Sequence, residues 1–411
     1  MKALISNTTL LSLKVLMLER YNLLFICIVY LFSISCTDEL DRVLHDPNDT
    51  IALHPPSIYF NINDSSQNYL RYTNRLWQGI PSIERTKEGV LWAVWYSGDV
   101  NEGTDNYVTV SMSKDDGLTW QKNAIIIEPE PGVRAFDPTI WYSEKDQHLY
   151  IFWTQSYEFW DGRGGVWYIR SPGLKSEEDH WSTPRRIYDG VMINKPIQLL
   201  DERILLPVSI WGDIYPGVHH FKPPHPEIQH KAGVNVVSTT DFNKFHLESI
   251  IKVPKAIKEV DEPQLVEIDK NVIHAILRTK KGTFSSTSFD NGYNWSPLSS
   301  IDLQPTTNSR SHIKKLRSGN FLFVQNNSLV REKLTVYLSR DKMKSWESLI
   351  IDERMGVSYP DVAEGENGNL YAIYDRSRSY AKEIILCRFN EKDIITGNKN
   401  GISCSIIDNA R

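Results

Sequence analysis

Six short surroundings in this 411-residue chain hold side chains able to move protons, attack carbon or bind an anion. They are Asp105 in Gly103-Thr104-Asp105-Asn106, Asp137 in Phe136-Asp137-Pro138, Glu262 in Asp261-Glu262-Pro263, Arg278 after the run Val272 to Leu277, Arg331 in Val330-Arg331-Glu332, and Tyr359 in Ser358-Tyr359-Pro360. A carboxylate can give or take a proton, and a guanidinium can fork onto a carboxylate. A phenol, with a pKa near 10, becomes a useful nucleophile only beside a base. Each residue also has a plainer use. Glu262 and Arg278 could form a buried ion pair on adjacent strands, Asp105 could serve a turn, and Tyr359 is one of nineteen tyrosines. His219, His220, His225 and His230 fall in the stretch 212–231 with four prolines. Imidazoles bind metals, but these spacings match no standard site. The stretch reads as a stiff loop on a pocket rim, and no metal site is expected.

The elements that must position these groups are strands. Runs such as Val90 to Tyr96, Leu149 to Trp153, Ile204 to Val208 and Leu370 to Tyr374 are short, rich in β-branched or aromatic residues, and bounded by Gly, Asp or Asn. They recur with a period of about 45 to 55 residues, the length of a four-stranded propeller blade. The sharpest marker is Ser113-Lys-Asp115-Asp-Gly117-Leu-Thr119-Trp120, repeated as Ser288-Phe-Asp290-Asn-Gly292-Tyr-Asn-Trp295 and, in worn form, as Ser339-Arg-Asp341-Lys-Met-Lys-Ser345-Trp346. In such a unit the Asp accepts backbone N–H groups, the Gly takes positive φ and the Trp packs under the hairpin. Six units follow, at 78–130, 131–187, 188–252, 255–303, 305–352 and 355–395, with the segment around Ile58 to Asn61 available as a closing strand.

At the start, Lys14, Glu19 and Arg20 precede an apolar run from Leu23 to Phe32 that is too short for a comfortable membrane span. Small residues and Cys36 come next. Residues 1–36 resemble a bacterial lipoprotein signal, which implies acylation of Cys36; an ordinary signal peptide is the alternative, and Met17 is a possible initiator. Residues 37–65, rich in Asp, Asn and Pro, read as a tether to a domain spanning 66–411. The protein is therefore expected in the bacterial cell envelope, touching the membrane only through its lipid. Net charge is −5 without a basic block, which argues against nucleic acid as a partner. Cys387 and Cys404 are either a disulfide or two free thiols.

The repeated unit is an Asp-box, and it resembles the bacterial-neuraminidase repeat of the sialidases. That resemblance implies an all-β, six-bladed β-propeller and gives the Asp-box aspartates a structural role. Retaining sialidases use a Tyr nucleophile, a Glu base, an Asp general acid and three arginines on the substrate carboxylate; a neutral phenol escapes the repulsion a carboxylate nucleophile would meet there. Followed along the chain, the resemblance implies that Tyr359 is the nucleophile, Glu262 its base and Asp105 the general acid. Arg278 and Arg331 are similar to the second and third arginines, and Asp137 to an Asp-Pro element bordering the sugar pocket. One departure stands out. Sialidases open their first blade with Arg-Ile-Pro, and here the place reads Gly79-Ile80-Pro81, although Asp375 is similar to the acid that braces the missing arginine. Arg75, Arg134, Arg310 and Arg376 are candidates to replace it. The expected activity is an exo-acting retaining glycoside hydrolase removing a terminal acidic sugar, sialic acid or a relative, from a glycan, without a cofactor. The rivals are a propeller glycosidase on another sugar of a plant or algal polysaccharide, and a glycan-binding lipoprotein without turnover. Trp77, Trp95, Trp160 and Trp211 could stack on sugar faces or fill the blade core.

Overall fold

The computed structural model describes residues 48–63, 69–172, 181–212 and 222–410. Cys36, the apolar run before it, and His219 and His220 lie outside these residues, as do residues 37–47 and 64–65 of the expected tether; its residues 48–63 are instead part of the folded unit, with a 3-10 helix at Asp49–Leu53 and a strand at Ser57–Phe60. Asn48 onward forms one compact unit.

Six antiparallel sheets make up this unit, one per expected repeat. The first contains β1 (Ser57–Phe60), β2 (Trp77–Arg85), β3 (Leu91–Gly98), β4 (Tyr107–Ser113) and β5 (Gln121–Glu128), in the spatial order β1-β5-β4-β3-β2. The other five have four strands each in chain order: β6–β9 within 133–188, β10–β13 within 197–251, β14–β17 within 264–300, β18–β21 within 312–352 and β22–β25 within 357–408. The first strand of each of these blades, and β2 in blade one, lies innermost: β2 touches β6 and β22, β14 touches β10 and β18, and β18 touches β22. The chain is thus an all-β, six-bladed β-propeller.

Two boundaries differ from the sequence reading. The segment expected as a closing strand, β1, pairs with β5 on the outer edge of blade one, Ser57 opposite Glu128. Blade six does not borrow a strand, because its outermost strand, β25 (Ser403–Asp408), follows a short helix, Glu391–Thr396, beyond residue 395. The ring therefore closes without strand pairing, through side chains and the backbone hydrogen bond from the Gln78 N–H to the Arg378 carbonyl at 3.2 Å. Asp408 on β25 pairs with Arg75 and, at 3.0 Å, with Lys122 of blade one. Cys387 and Cys404, opposite each other on β24 (Glu383–Asn390) and β25, form a disulfide, which settles the alternative left open by spacing.

The Asp-boxes make the expected turns. Asp115 accepts the Thr119 N–H at 2.9 Å and its hydroxyl at 2.6 Å, which holds its carboxyl down at about 2. Gly117 sits at φ +86°, and the Trp120 indole donates to its carbonyl at 3.1 Å. Asp290 and Gly292 repeat the arrangement. In the worn third copy Met343 takes the left-handed position at φ +68°, which a side chain tolerates less well than Gly does.

The innermost strands carry a second repeat with a direct bearing on function. Ile80-Pro81, Asp137-Pro138 and Tyr359-Pro360 each sit where pairing with the next strand slips, in β2, β6 and β22. Proline cannot supply the ladder N–H, so the strand bulges there. The residue before each proline is forced to positive φ, +57° at Ile80, +48° at Asp137 and +54° at Tyr359. Such backbones cost on the order of 1–3 kcal/mol each and persist only where their surroundings impose them. All three side chains end in one cavity. A buried cation network supplies the imposing contacts. Arg310 donates to the carbonyls of Ile193, Pro81, Tyr359 and Pro360 at 2.8 to 3.2 Å, tying blades one, three and six together. Lys195 bonds Glu84 at 3.1 Å and the Val362 carbonyl at 3.2 Å, and lies 3.3 Å from Asp361.

Candidate active site

A cavity of about 410 Å³ opens at this bulged end of the inner strands. Its polar lining is Glu102, Arg134, Asp137, Glu262, Arg278, Arg331, Tyr359 and Arg378, with Ile80, Phe159, Trp211 and Val260 as apolar wall. Four guanidinium groups thus face three carboxyl groups and a phenol, a balance that favours an anionic ligand.

At its centre is a closed triangle. The Tyr359 hydroxyl donates to Glu262 Oε1 at 2.8 Å, and Arg278 Nη1 approaches the same oxygen and the phenol oxygen, each at 2.7 Å. Asn308 holds Arg278 Nε at 2.5 Å, and Glu259 bonds Asn308 in turn. Burial pushes the Tyr359 phenol above its ordinary value; Arg278, Arg331 and Arg378 pull it down, while Glu262 adds to the rise. A phenol so placed stays protonated until a base takes its proton, and Glu262 is the base in reach. Arg331 and Arg378 lie over the Tyr359 ring, 5.1 and 4.2 Å from its centroid.

Five of the six residues singled out from sequence meet in the cavity: Asp137, Glu262, Arg278, Arg331 and Tyr359. Asp105 does not. It is exposed on the loop after β3, outside the cavity lining, and Glu102, three residues earlier on that loop, faces the cavity instead. The loop turns through Asn106, whose side chain takes the Gly103 N–H at 2.8 Å, and this turn carries Asp105 away from the cavity. Glu102 is flanked by cations, Arg378 at 3.4 Å and Arg134 at 3.7 Å. Asp137 is a different carboxyl group. It is 5% exposed, and burial, reinforced by Glu102 and Glu262 and opposed by Arg134 and Arg310, raises it to about 7.

Of the arginines considered as replacements at Gly79, Arg75 is bound to Asp408, Arg376 to Glu383 at 2.8 Å, and Arg310 to four carbonyls. Arg134 lines the cavity but packs on Phe136 and Phe159, 3.7 and 4.4 Å from their centroids. The cation beside Gly79 is Arg378, which sequence reasoning passed over. Its signal was indirect: a glycine in a core strand leaves room for a side chain from elsewhere. Trp77, Trp95 and Trp160 are buried in blades, and Trp211 alone of the four tryptophans reaches the cavity. His225 is buried between Asp49, Arg163 and the Asp161 carbonyl, and His230 is exposed. Among the described residues no group of three or more His, Cys, Asp or Glu could hold a metal ion.

A six-bladed ring with Asp-boxes at its turns and this triangle at its axis is a sialidase-like BNR propeller. The chain belongs to the BNR repeat-like domain family, whose model matches residues 89–372. Among solved structures it is similar to the Hadza microbial sialidase Hz136, with 16% identity and a TM-score of 0.60 over 78% of this chain and 67% of that one. It is also similar to the intramolecular trans-sialidase from Ruminococcus gnavus, with 12% identity and a TM-score of 0.58 over 82% of this chain and 98% of that one. For the Trypanosoma rangeli sialidase the identity is 14% and the TM-score 0.57, over 78% of this chain and 56% of that one. At such identities the likeness is one of fold. No curated protein matches the chain.

Proposed function

We propose that the protein is an exo-acting retaining glycoside hydrolase that releases a terminal sugar bearing a carboxylate, sialic acid or a close relative. The observation that carries this reading is the 2.8 Å hydrogen bond from the Tyr359 phenol to Glu262 inside a cation-rich cavity. Glu262 takes the phenol proton as the Tyr359 oxygen attacks the anomeric carbon, and Arg278 steadies the phenolate as its charge grows. The bond to the leaving oxygen breaks, and that oxygen takes a proton from Asp137, whose buried carboxyl is half protonated near pH 7. Water then displaces Tyr359 from the anomeric carbon, giving its proton to Asp137 while Glu262 returns its proton to the departing Tyr359 oxygen, and the two displacements retain configuration. Arg331 and its cationic neighbours hold the substrate carboxylate. The Cys387–Cys404 disulfide supports an oxidising compartment, and with the lipoprotein-like motif at Cys36 it favours a lipid-anchored enzyme of the cell envelope.

The test compares wild type and Tyr359→Phe on fluorogenic glycosides of N-acetylneuraminic acid, glucuronic acid and neutral sugars. Release from the sialoside, lost in the variant, is expected. A fluorinated sialosyl donor should also leave an adduct on Tyr359, seen by peptide mass spectrometry. Equal release by Tyr359→Phe would refute the mechanism, and release confined to a neutral sugar would refute the substrate.

A further inference from the structure

Arg378 enters the cavity from the turn after β23 (Asn369–Arg376), in the last blade, and occupies the space beside Gly79 of the first. A Cβ built on Gly79 would lie 2.7 Å from Arg378 Cδ, 2.8 Å from Cγ and 2.9 Å from Nε. These atoms are the stem of the side chain, so even one methyl group at position 79 displaces it. Buried Asp375 fixes the arrangement. Its Oδ2 accepts Arg378 Nε and the Ile80 N–H, both at 2.8 Å, and its Oδ1 accepts the Ser358 hydroxyl at 2.6 Å. The guanidinium lies on the nucleophile's ring with its Nη1 3.4 Å from Glu102, while the shielded Nη2 has no partner among the described residues. Arg331, on the other cationic position over the ring, makes no side-chain hydrogen bond or ion pair to a described residue.

We propose that Arg378 is the principal carboxylate-binding residue of this cavity, and that Gly79 is the opening that admits it. The guanidinium comes from the opposite side of the seam between first and last blades, so positions 79 and 378 act as one unit: a side chain at either place excludes the other. The inference rests on the acidic-sugar reading above, but it concerns binding and not turnover.

The experiment is calorimetric titration of the intact protein with 2-deoxy-2,3-dehydro-N-acetylneuraminic acid and with its methyl ester, which differ only in the anion. Wild type, Arg378→Gln, Gly79→Ala and the double variant are compared, with unfolding temperatures as a check on folding. Wild type should prefer the acid by about 10- to 100-fold, the value of a charge-assisted contact. Arg378→Gln should remove most of that preference. Gly79→Ala should do the same by displacing Arg378, and the double variant should be no weaker than Arg378→Gln. A wild type without acid preference, an Arg378→Gln variant that keeps it, or single losses that multiply in the double variant would each overturn the proposal. If the preference behaves as stated while no reporter is hydrolysed, the hydrolase reading fails and this one stands.

Discussion

Replacing Asp137 by Asn should make the protein more stable at alkaline pH and much less active. In the folded chain the carboxyl is raised from 3.8 to about 7, chiefly by burial. A folded-state value above the unfolded one means that protonation favours folding. Its contribution is complete below pH 4 and is lost as pH rises through 7. A shift of roughly three units at about 1.4 kcal/mol each puts the loss near 4 kcal/mol at pH 8. Asn is uncharged at every pH and escapes it, so its unfolding temperature at pH 8 should exceed that of wild type by on the order of 5 °C, with no difference at pH 4. Activity should move the other way. Wild-type kcat/KM should fall tenfold per pH unit above about 7, as the proton donor is lost. Asp137→Asn should lose about 10²- to 10⁴-fold at pH 6 and show no such limb. The loss should be larger for an alkyl sialoside than for an umbelliferyl one, whose leaving group needs little protonation. Calorimetric melts and pH–rate profiles read both effects. An Asn variant with the wild-type alkaline limb, or without the stability gain at pH 8, would refute the assignment and shift it to Glu102.

Other substitutions separate the remaining parts. Glu262→Gln should cut kcat by about 10²- to 10⁴-fold with little change in affinity for the unsaturated acid, because it removes the base and leaves the cations; steady-state kinetics with calorimetry would check it. Lys195→Met should destabilise by about 3–5 kcal/mol in denaturant unfolding, since it leaves Glu84 and Asp361 buried without their shared cation. Reducing the Cys387–Cys404 disulfide, or replacing Cys404 by Ser, should cost about 3 kcal/mol by chain entropy for a loop of this length. The melting temperature should fall while the acid-over-ester preference stays, because the bond lies on the outer edge of blade six.

The repeat and the Tyr359–Glu262–Arg278 triangle were legible because they are local. An Asp-box is eight residues whose turn chemistry is written in its own side chains, and Glu262, Arg278, Arg331 and Tyr359 each sit in a short motif. Four of the residues lining the cavity, Ile80, Asp137, Glu262 and Tyr359, directly precede a proline, a pattern that is also visible in one dimension. What stayed hidden depends on how loops leave strands. The turn that exposes Asp105 and presents Glu102 differs by less than one loop, and residue type at that spacing cannot decide between two carboxyl groups. Arg378 belongs to a turn some 300 residues from the glycine it fills. Only the closed ring brings them together, since the contact is made across a seam that carries no strand pairing. The placement of β1 on blade one, and of β25 past a short helix, likewise follows from edges competing for partners and not from the pattern within either strand.

Because no strand is exchanged at the junction, the two ends of the fold meet as docked surfaces, and the cation-rich cavity straddles them. A chain cut before residue 359 keeps Glu262, Arg278, Arg331 and most of the ring, yet lacks both Tyr359 and Arg378. Their meeting with Glu262 therefore waits on the docking of the last blade against the first.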